Sequence, residues 1–300
     1  MKRLLVVADD LGLTPGVNAG IAAAFRDGIL TSASFLTNTA HFEQTVSLIR
    51  SLPGLKVGVH LSLVGGKPVR APSAVPSLAP DGERFRESWR QFLPAWLLGR
   101  IKTEEVRAEW EAQIARATAA GVRPAHLDSH QHLHLLPPLW RVAAGLARRF
   151  GIPRMRLPRR GQSGGDSGRG MGAGLAGEAG GASGAPLSRR ALELVLARLA
   201  AVSDKAPAAG KPAETASDLT RCDRLFGIAE TGRLDLPALL GVLRRIPEGT
   251  SELVTHPGYP DPELRRDYRW GYAWEAEAAA LMSPEARQEI SRRGIALERT

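Results

Sequence analysis

Five apolar residues, Leu4 to Ala8, run without interruption into Asp9 and Asp10, and Gly12 follows close behind. A short continuous apolar run closed by turn-forming residues predicts a strand buried on both faces. Between Gly16 and Gly28 the period changes, and Val17, Ile21, Ala24 and Phe25 share one face of a helix. Ile29 to Leu36 is a β-prone run of small residues, and Phe42 to Leu52 reads as a helix stopped by Pro53-Gly54. Leu55 to Leu61 is the next strand, with His60 at its end. Strands and helices alternating over short connections are the signature of parallel βαβ units.

Ser62 to Glu87 is rich in Pro, Gly and Ser, which predicts a long loop at the carboxyl end of a strand. Loops of that length are functional lids or disordered. Trp89, Phe92 and Trp96 have helical spacing and predict a packed apolar face, with a lid or a membrane-facing patch as the alternative. Thr103 is the expected N-cap of a helix that reaches about Ala120 and ends at Gly121. A short strand near Ala125 to Asp128, a histidine-rich turn, a helix over 137–150 and a strand over 152–157 follow. Residues 161–184 are mostly Gly, Ala and Ser and predict a disordered insertion. A helix over 187–202 and a polar, Ala/Pro-rich linker over 203–217 come next. Leu225 to Ile228 reads as a strand, Leu236 to Arg245 as a helix, and Thr250 to Thr255 as a strand running into His256. The tail is helical to Gly294, with a last strand from Ile295 to Glu298. Tyr268 to Trp274 gathers aromatics in a chain otherwise poor in them; helix packing is the expected reason and a sugar-stacking wall the alternative. No internal repeat interrupts this order. The reading is one α/β domain over residues 1–300, a (β/α) barrel or a distorted relative.

Composition narrows the partners. The formal net charge is +9, yet no Lys/Arg run is interleaved with aromatics, so a nucleic-acid surface is not expected. Peripheral contact with an acidic membrane and a homodimer stay open. Cys222 is the only cysteine, which excludes an internal disulfide and a thiolate cluster and fits a reducing compartment. The first apolar run is too short for a signal segment, and no stretch is long enough to span a bilayer. A soluble, cytoplasmic protein is expected.

The candidate chemistry lies at strand ends. Six of the seven histidines, His60, His126, His130, His132, His134 and His256, fall at or just beyond them. Wherever 125–134 is extended, His126, Asp128, His130, His132 and His134 point to one side. Imidazole and carboxylate suit a divalent metal in a hydrolytic site. Asp9 and Asp10 repel one another at the edge of an apolar core unless something positive compensates them. The plainer alternative makes one a helix cap and leaves the other solvated. A catalytic metal needs about three protein ligands and an open position, so the surplus residues orient ligands, bind substrate or move protons. His41, at a helix start, reads as a cap or a surface residue. Arg154 and Arg156 face the same way along their strand, and one of them, with Arg156 favoured, is expected to pair with Asp9.

Four segments, Val-Ala-Asp-Asp-Leu-Gly (7–12), Gly-Val-His-Leu (58–61), His-Leu-Asp-Ser-His-Gln-His (126–132) and Thr-His-Pro-Gly-Tyr (255–259), occur in an order that resembles the YdjC-like carbohydrate deacetylases. Within that family the chain is most similar to the hopanoid-biosynthesis-associated branch. The resemblance covers nearly the whole chain outside the Gly-rich insertion and the linker. It implies a distorted TIM-like barrel related to the polysaccharide deacetylases, and a divalent metal, commonly magnesium, that serves removal of acetyl groups from N-acetylated sugars or glycolipids. It also implies Asp10, His60 and His130 as metal ligands, Asp9 as catalytic base and His256 as the acid that protonates the leaving amine. Val7 and Leu11 stand where the family more often has Asn and Phe, a change that touches packing and substrate fit. The residues suit that chemistry: amide hydrolysis needs an activated water, charge stabilisation at the carbonyl oxygen and a proton for the departing nitrogen. His-rich ligation also admits zinc. A metal-dependent hydrolase of another ester or phosphoester, or a non-catalytic sugar- or lipid-binding barrel, are the competing readings.

Overall fold

The computed structural model describes residues 1–156 and 219–299. The expected insertion at 161–184, the helix over 187–202 and the linker at 203–217 lie outside them. The predicted first strand is the axis of the molecule. β1 (Lys2–Leu11) pairs in parallel with β6 (Gly249–Thr255) on one side. On the other side it pairs first with β7 (Ile295–Leu297) and then with β2 (Ser32–Phe35). Flanked on both edges and covered on both faces, Leu4 to Ala8 are at most 1% exposed, as an uninterrupted apolar run requires.

The sheet continues through β3 (Lys56–Leu61) and β4 (Leu127–Ser129) at one end and β5 (Arg224–Phe226) at the other, in the order β4-β3-β2-β1-β6-β5. All its pairings are parallel. Between β4 and β5, among the described residues, only isolated bridges link the strands, Leu127 to Met155 and Arg154 to Thr220. The expected strand at 152–157 is therefore reduced to this bridged segment. The barrel is a continuous parallel sheet over part of its circuit and a seam over the rest, which is the distortion the sequence led us to expect.

Helices pack around the sheet as their periodicity dictates. In α1 (Pro15–Asp27) Val17, Ile21, Ala24 and Phe25 are buried, and Thr14 caps the first turn by accepting from the Val17 amide at 3.3 Å. α2 (Phe42–Arg50), α5 (Pro137–Arg149) and α6 (Leu236–Arg245) fall within a few residues of their predicted spans. The tail forms α7 (Pro262–Asp267), α8 (Trp274–Met282) and α9 (Pro284–Arg292). Two expectations are corrected. Thr103 is the first residue of α4 (Thr103–Ala119) rather than its cap, because Lys102 holds the cap position and makes no side-chain cap. Residues 268–273 are not helical, so helix packing does not explain that aromatic cluster.

The long loop 62–87 is fixed by side chains of α4. Gln113 accepts from the Ser62 amide and donates to its carbonyl, both at 2.8 Å. Glu109 accepts from the amides of Val69 and Arg70, and Glu105 from that of Ser77. These three residues recur every four positions, so one polar stripe of α4 holds the loop while Val106, Trp110 and Ile114 enter the core. α3 (Trp89–Leu97) follows directly, with Phe92 buried.

α1 lies so close to the loop after β6 that a Cβ at Gly20 would meet the Gly258 Cα at 2.4 Å. Gly241, inside α6, has open space around it. Gly20→Ala is expected to lower stability by about 1–3 kcal/mol, and Gly241→Ala to raise it by about 0.5–1 kcal/mol. Urea denaturation of the two variants checks both signs.

Candidate active site

Parallel strands bring their carboxyl ends to one rim, and β1, β3, β4 and β6 deliver Asp9, Asp10, His60, Asp128, His130 and His256 there. Strict alternation would send Asp9 and Asp10 to opposite faces. A register shift between Ala8 and Leu11, with Asp10 in the left-handed region at φ 65°, turns both toward the rim. Aspartate is one of the few residues that adopt this conformation readily.

A cleft of about 420 Å³ opens at the rim, with Asp9, Asp10, His60, His130, His132 and His256 in its lining. Trp89, Trp270 and Tyr272 form part of its wall. Trp270 lies 5.5 Å from the His130 ring and Tyr272 5.2 Å from the His256 ring. The aromatic cluster thus belongs to the cleft.

Behind the lining is a network that the rows of the sheet assemble. His60 and Asp128 are register partners on β3 and β4, and His60 Nδ1 lies 2.7 Å from Asp128 Oδ1. Nε2 of the same ring faces the rim, 3.5 Å from Asp10 Oδ1 and 3.9 Å from Asp9 Oδ2, and a neutral ring with its proton on Nδ1 would turn its lone pair there. His130 Nδ1 lies 2.9 Å from Asp10 Oδ1. Arg156 donates to both oxygens of Asp9 at 2.7 Å and to Glu252 at 2.6 Å, and forms an ion pair with Asp128 at 2.7 Å. Arg154 pairs with Glu252 instead of Asp9.

The single face that an extended 126–134 would give does not form, because the expected turn begins at His130. Only Leu127–Ser129 is strand; His130–Leu135 winds as a 3-10 turn with Gln131 and His132 left-handed at φ 54° and 56°. His130 and His132 consequently line the cleft, while His126 and His134 pack behind it. His126 Nε2 lies 3.0 Å from Ser34 Oγ, which also donates to Asp128 at 2.6 Å. His126 fits because a Cβ at Gly58 would strike its ring at 2.4 Å. His134 Nδ1 lies 2.7 Å from Ser129 Oγ, and its Nε2 2.9 Å from the Arg156 carbonyl. His41 stands at the N-cap position of α2 without capping it, and its ring pairs with Glu263.

Several participants escaped the sequence reading. Glu252 is fully buried under both arginines; a carboxylate inside an apolar strand that must find a cation was the available signal. Ser34 looked like one small residue among many. Glu277 accepts from the His256 amide at 2.7 Å and pins that residue from α8.

Electrostatics divide these groups. Burial pushes the Asp9, Asp10, Asp128 and Glu252 carboxyls up, yet the adjacent arginines and imidazoles outweigh it and hold all four below the usual range. Burial alone would lower His60, but Asp128, Asp9 and Asp10 raise it to about 9. Asp9, Asp10, Asp128 and Glu252 carry four buried negative charges against the two of Arg154 and Arg156, an excess of two when the imidazoles are neutral, the form in which they would hold a metal. That excess suits a divalent cation, and the donor atoms of Asp10, His60 and His130 lie within 4.8 Å of one another. Asp9, His60 and Asp128 make a second group at this spacing, but both its carboxylates are engaged by Arg156. His132 Nδ1 and His256 Nδ1 are buried with no hydrogen-bond partner among the described residues. Such orphans cost about 1–3 kcal/mol each, and both stand on rings that line the cleft.

Comparison with known proteins places the chain in a family. The YdjC-like protein family model matches residues 3–292, and the chain belongs to that family. The carbohydrate deacetylase of Brevibacillus brevis is 39% identical over 156 residues, 52% of this chain and 59% of that protein. The chitooligosaccharide deacetylase of Klebsiella pneumoniae is 40% identical over 154 residues, 51% and 58% of the two chains. The chain thus spans about three-fifths of the length of the curated relatives it matches. A crystal structure of an Enterococcus faecalis protein, described as a candidate for cellobiose-phosphate cleavage, superposes with a TM-score of 0.75 at 25% identity and covers 99% of this chain and 97% of that one. No helix among the described residues is long and apolar enough to cross a membrane.

Burial lowers His126 and His134 to about 4 each. Both add stability that is complete above about pH 6.5 and lost as pH falls toward 4, because the unfolded chain takes up protons the folded one refuses. His60, already protonated in both states below pH 6.5, is silent in this window. His134→Gln is expected to flatten the dependence of unfolding free energy on pH between 6.5 and 4 by about 1.4 kcal/mol per pH unit, one proton's worth. Denaturant titrations across that range measure it.

Proposed function

We propose that the chain is a metal-dependent hydrolase that removes the N-acetyl group from an N-acetylglucosamine-type sugar, releasing acetate and a free amine. The observation that carries this reading is the convergence of Asp10, His60 and His130 in one cleft, with Asp9 beside them and anchored on Arg156. The names of the sugar-deacetylase relatives support the substrate class. Asp10, His60 and His130 would hold the cation; Mg2+ is what the family resemblance implies, and two imidazoles with a carboxylate also suit Zn2+. A divalent cation there would acidify the attacking water and polarise the acetamido carbonyl.

The remaining steps fall to the chain's own groups. Asp9 takes the proton of the attacking water. Arg156 keeps Asp9 ionised and fixed in orientation, at some cost in basicity. Asp128 holds the His60 ring in one tautomer. His256, on a separate strand end, delivers a proton to the nitrogen as the C–N bond breaks. Trp270 and Tyr272 offer ring faces to the sugar, and His132 offers a neutral imidazole. At a finer level, the resemblance to the hopanoid-associated branch supports a sugar carried on a polyol-terminated triterpenoid lipid as one candidate substrate.

Acetate release from N-acetylated chitooligosaccharides and from N-acetylglucosaminyl glycolipids, each assayed with Mg2+ and Zn2+ in turn, tests the reading. A chelator is expected to abolish turnover and the correct cation to restore it. Asp9→Asn is expected to keep bound metal and lose about 10²–10⁴ in kcat, whereas His130→Ala loses both metal and turnover. Full activity in either variant, or release of phosphate from generic esters with no acetate from any N-acetyl substrate, overturns the assignment.

A further inference from the structure

α3 stands beside the cleft with its two ends in different surroundings. Ser88, Trp89 and Arg90, at its start, line the cleft. Nine residues later, about 13 Å along the axis, the helix ends in Leu97 and Leu98, which are 75% and 64% exposed. They are adjacent, and among the described residues few large apolar side chains are exposed at all. Trp96 and Leu93 are half-buried beneath them and Pro94 is exposed on the same side. Nothing in the packing of the core calls for this apolar end, because α3 already enters the core through Phe92 and Ala95.

The exposed charges beside the leucines are mostly positive: Arg100 and Lys102 stand against the exposed Glu104, and Lys102 also reaches the buried Glu105 at 3.7 Å. Arg86, partly buried at the foot of the helix, is lowered by burial and by the neighbouring Arg100 guanidinium, so two like charges are held close together. An apolar tip, an indole at its base and a basic collar are the elements by which a short helix settles into the headgroup region of a bilayer. Two leucines offer far less than the roughly 800 Å² per partner that a stable protein interface buries.

We propose that the Leu97–Leu98 tip of α3, with Arg100 and Lys102 as its collar, docks the chain on an anionic lipid bilayer and sets the cleft mouth at headgroup level. A substrate whose sugar projects from a membrane then reaches the cleft without leaving its lipid anchor. The docking stands independently of the reaction proposed above, and it is measured without turnover.

Flotation of the full chain with phosphatidylcholine vesicles, with and without phosphatidylglycerol, tests it. The chain is expected to float with the anionic vesicles and to be released by salt. Leu97→Ser combined with Leu98→Ser is expected to weaken binding about tenfold or more. Arg100→Glu with Lys102→Glu is expected to abolish the preference for the anionic lipid. Both variants should keep the wild-type melting profile and hydrolyse a soluble substrate at the wild-type rate. Absence of flotation, or flotation unchanged by both variants, overturns the proposal. So does a leucine variant that converts a sedimenting dimer to monomer while vesicle binding stays the same, since the tip then belongs to a contact between copies.

Discussion

One buried guanidinium governs the interior of this molecule. Arg156 is 1% exposed and meets Asp9, Asp128 and Glu252 at once. Removing a cation from water costs several kcal/mol, and only several well-placed anions offset it. The same requirement runs the other way: three carboxylates from β1, β4 and β6 remain ionised inside the barrel because Arg156 lies between them. Its position comes from a segment held by isolated bridges, yet its carbonyl is fixed by His134 and its side chain by three strands. The seam of the barrel is thus closed by charge where backbone ladders are sparse. This explains why a residue so far from β1 in sequence decides the state of Asp9.

The division of labour between two neighbouring aspartates follows from that arrangement. Asp9 spends both oxygens on Arg156 and remains anionic in a fixed orientation. Asp10, turned by its left-handed backbone, faces His60 and His130 instead. Identical side chains one residue apart acquire different surroundings through one backbone torsion. The histidine turn uses the same device twice, at Gln131 and His132, so that His130 and His132 reach the cleft while His134 is directed behind it. Backbone strain of this kind is tolerated where surrounding contacts overdetermine it.

Much of the fold was legible in one dimension because its signals are local. Leu4–Ala8 had to be a doubly buried strand, the spacing of Val17, Ile21 and Ala24 had to be a helix, and the histidines at strand ends marked one rim. What escaped depends on distant partners or single torsions. Glu252 shows in the sequence only as a charge in an apolar run, and its meaning depends on two arginines about a hundred positions away. The turn at 130–135 was legible as a turn, but not which of its rings reach the cleft, because a positive φ leaves no mark on the hydrophobic pattern. The loop 62–87 looked free because the three α4 residues that hold it are ordinary helix-surface types. The aromatic cluster 268–274 looked like helix packing because proximity in sequence gave no hint of the cleft it borders.

The Gln131 side chain accepts from the Trp89 amide at 2.7 Å, joining the strained turn to the first residue of α3. That bond makes the helix a short lever whose fulcrum lies next to His130 and His132. The exposed leucines at one end of α3 and the two cleft-lining rings beyond the other are therefore tied into one run of structure, through this amide and through the packing of Phe92 and Ala95.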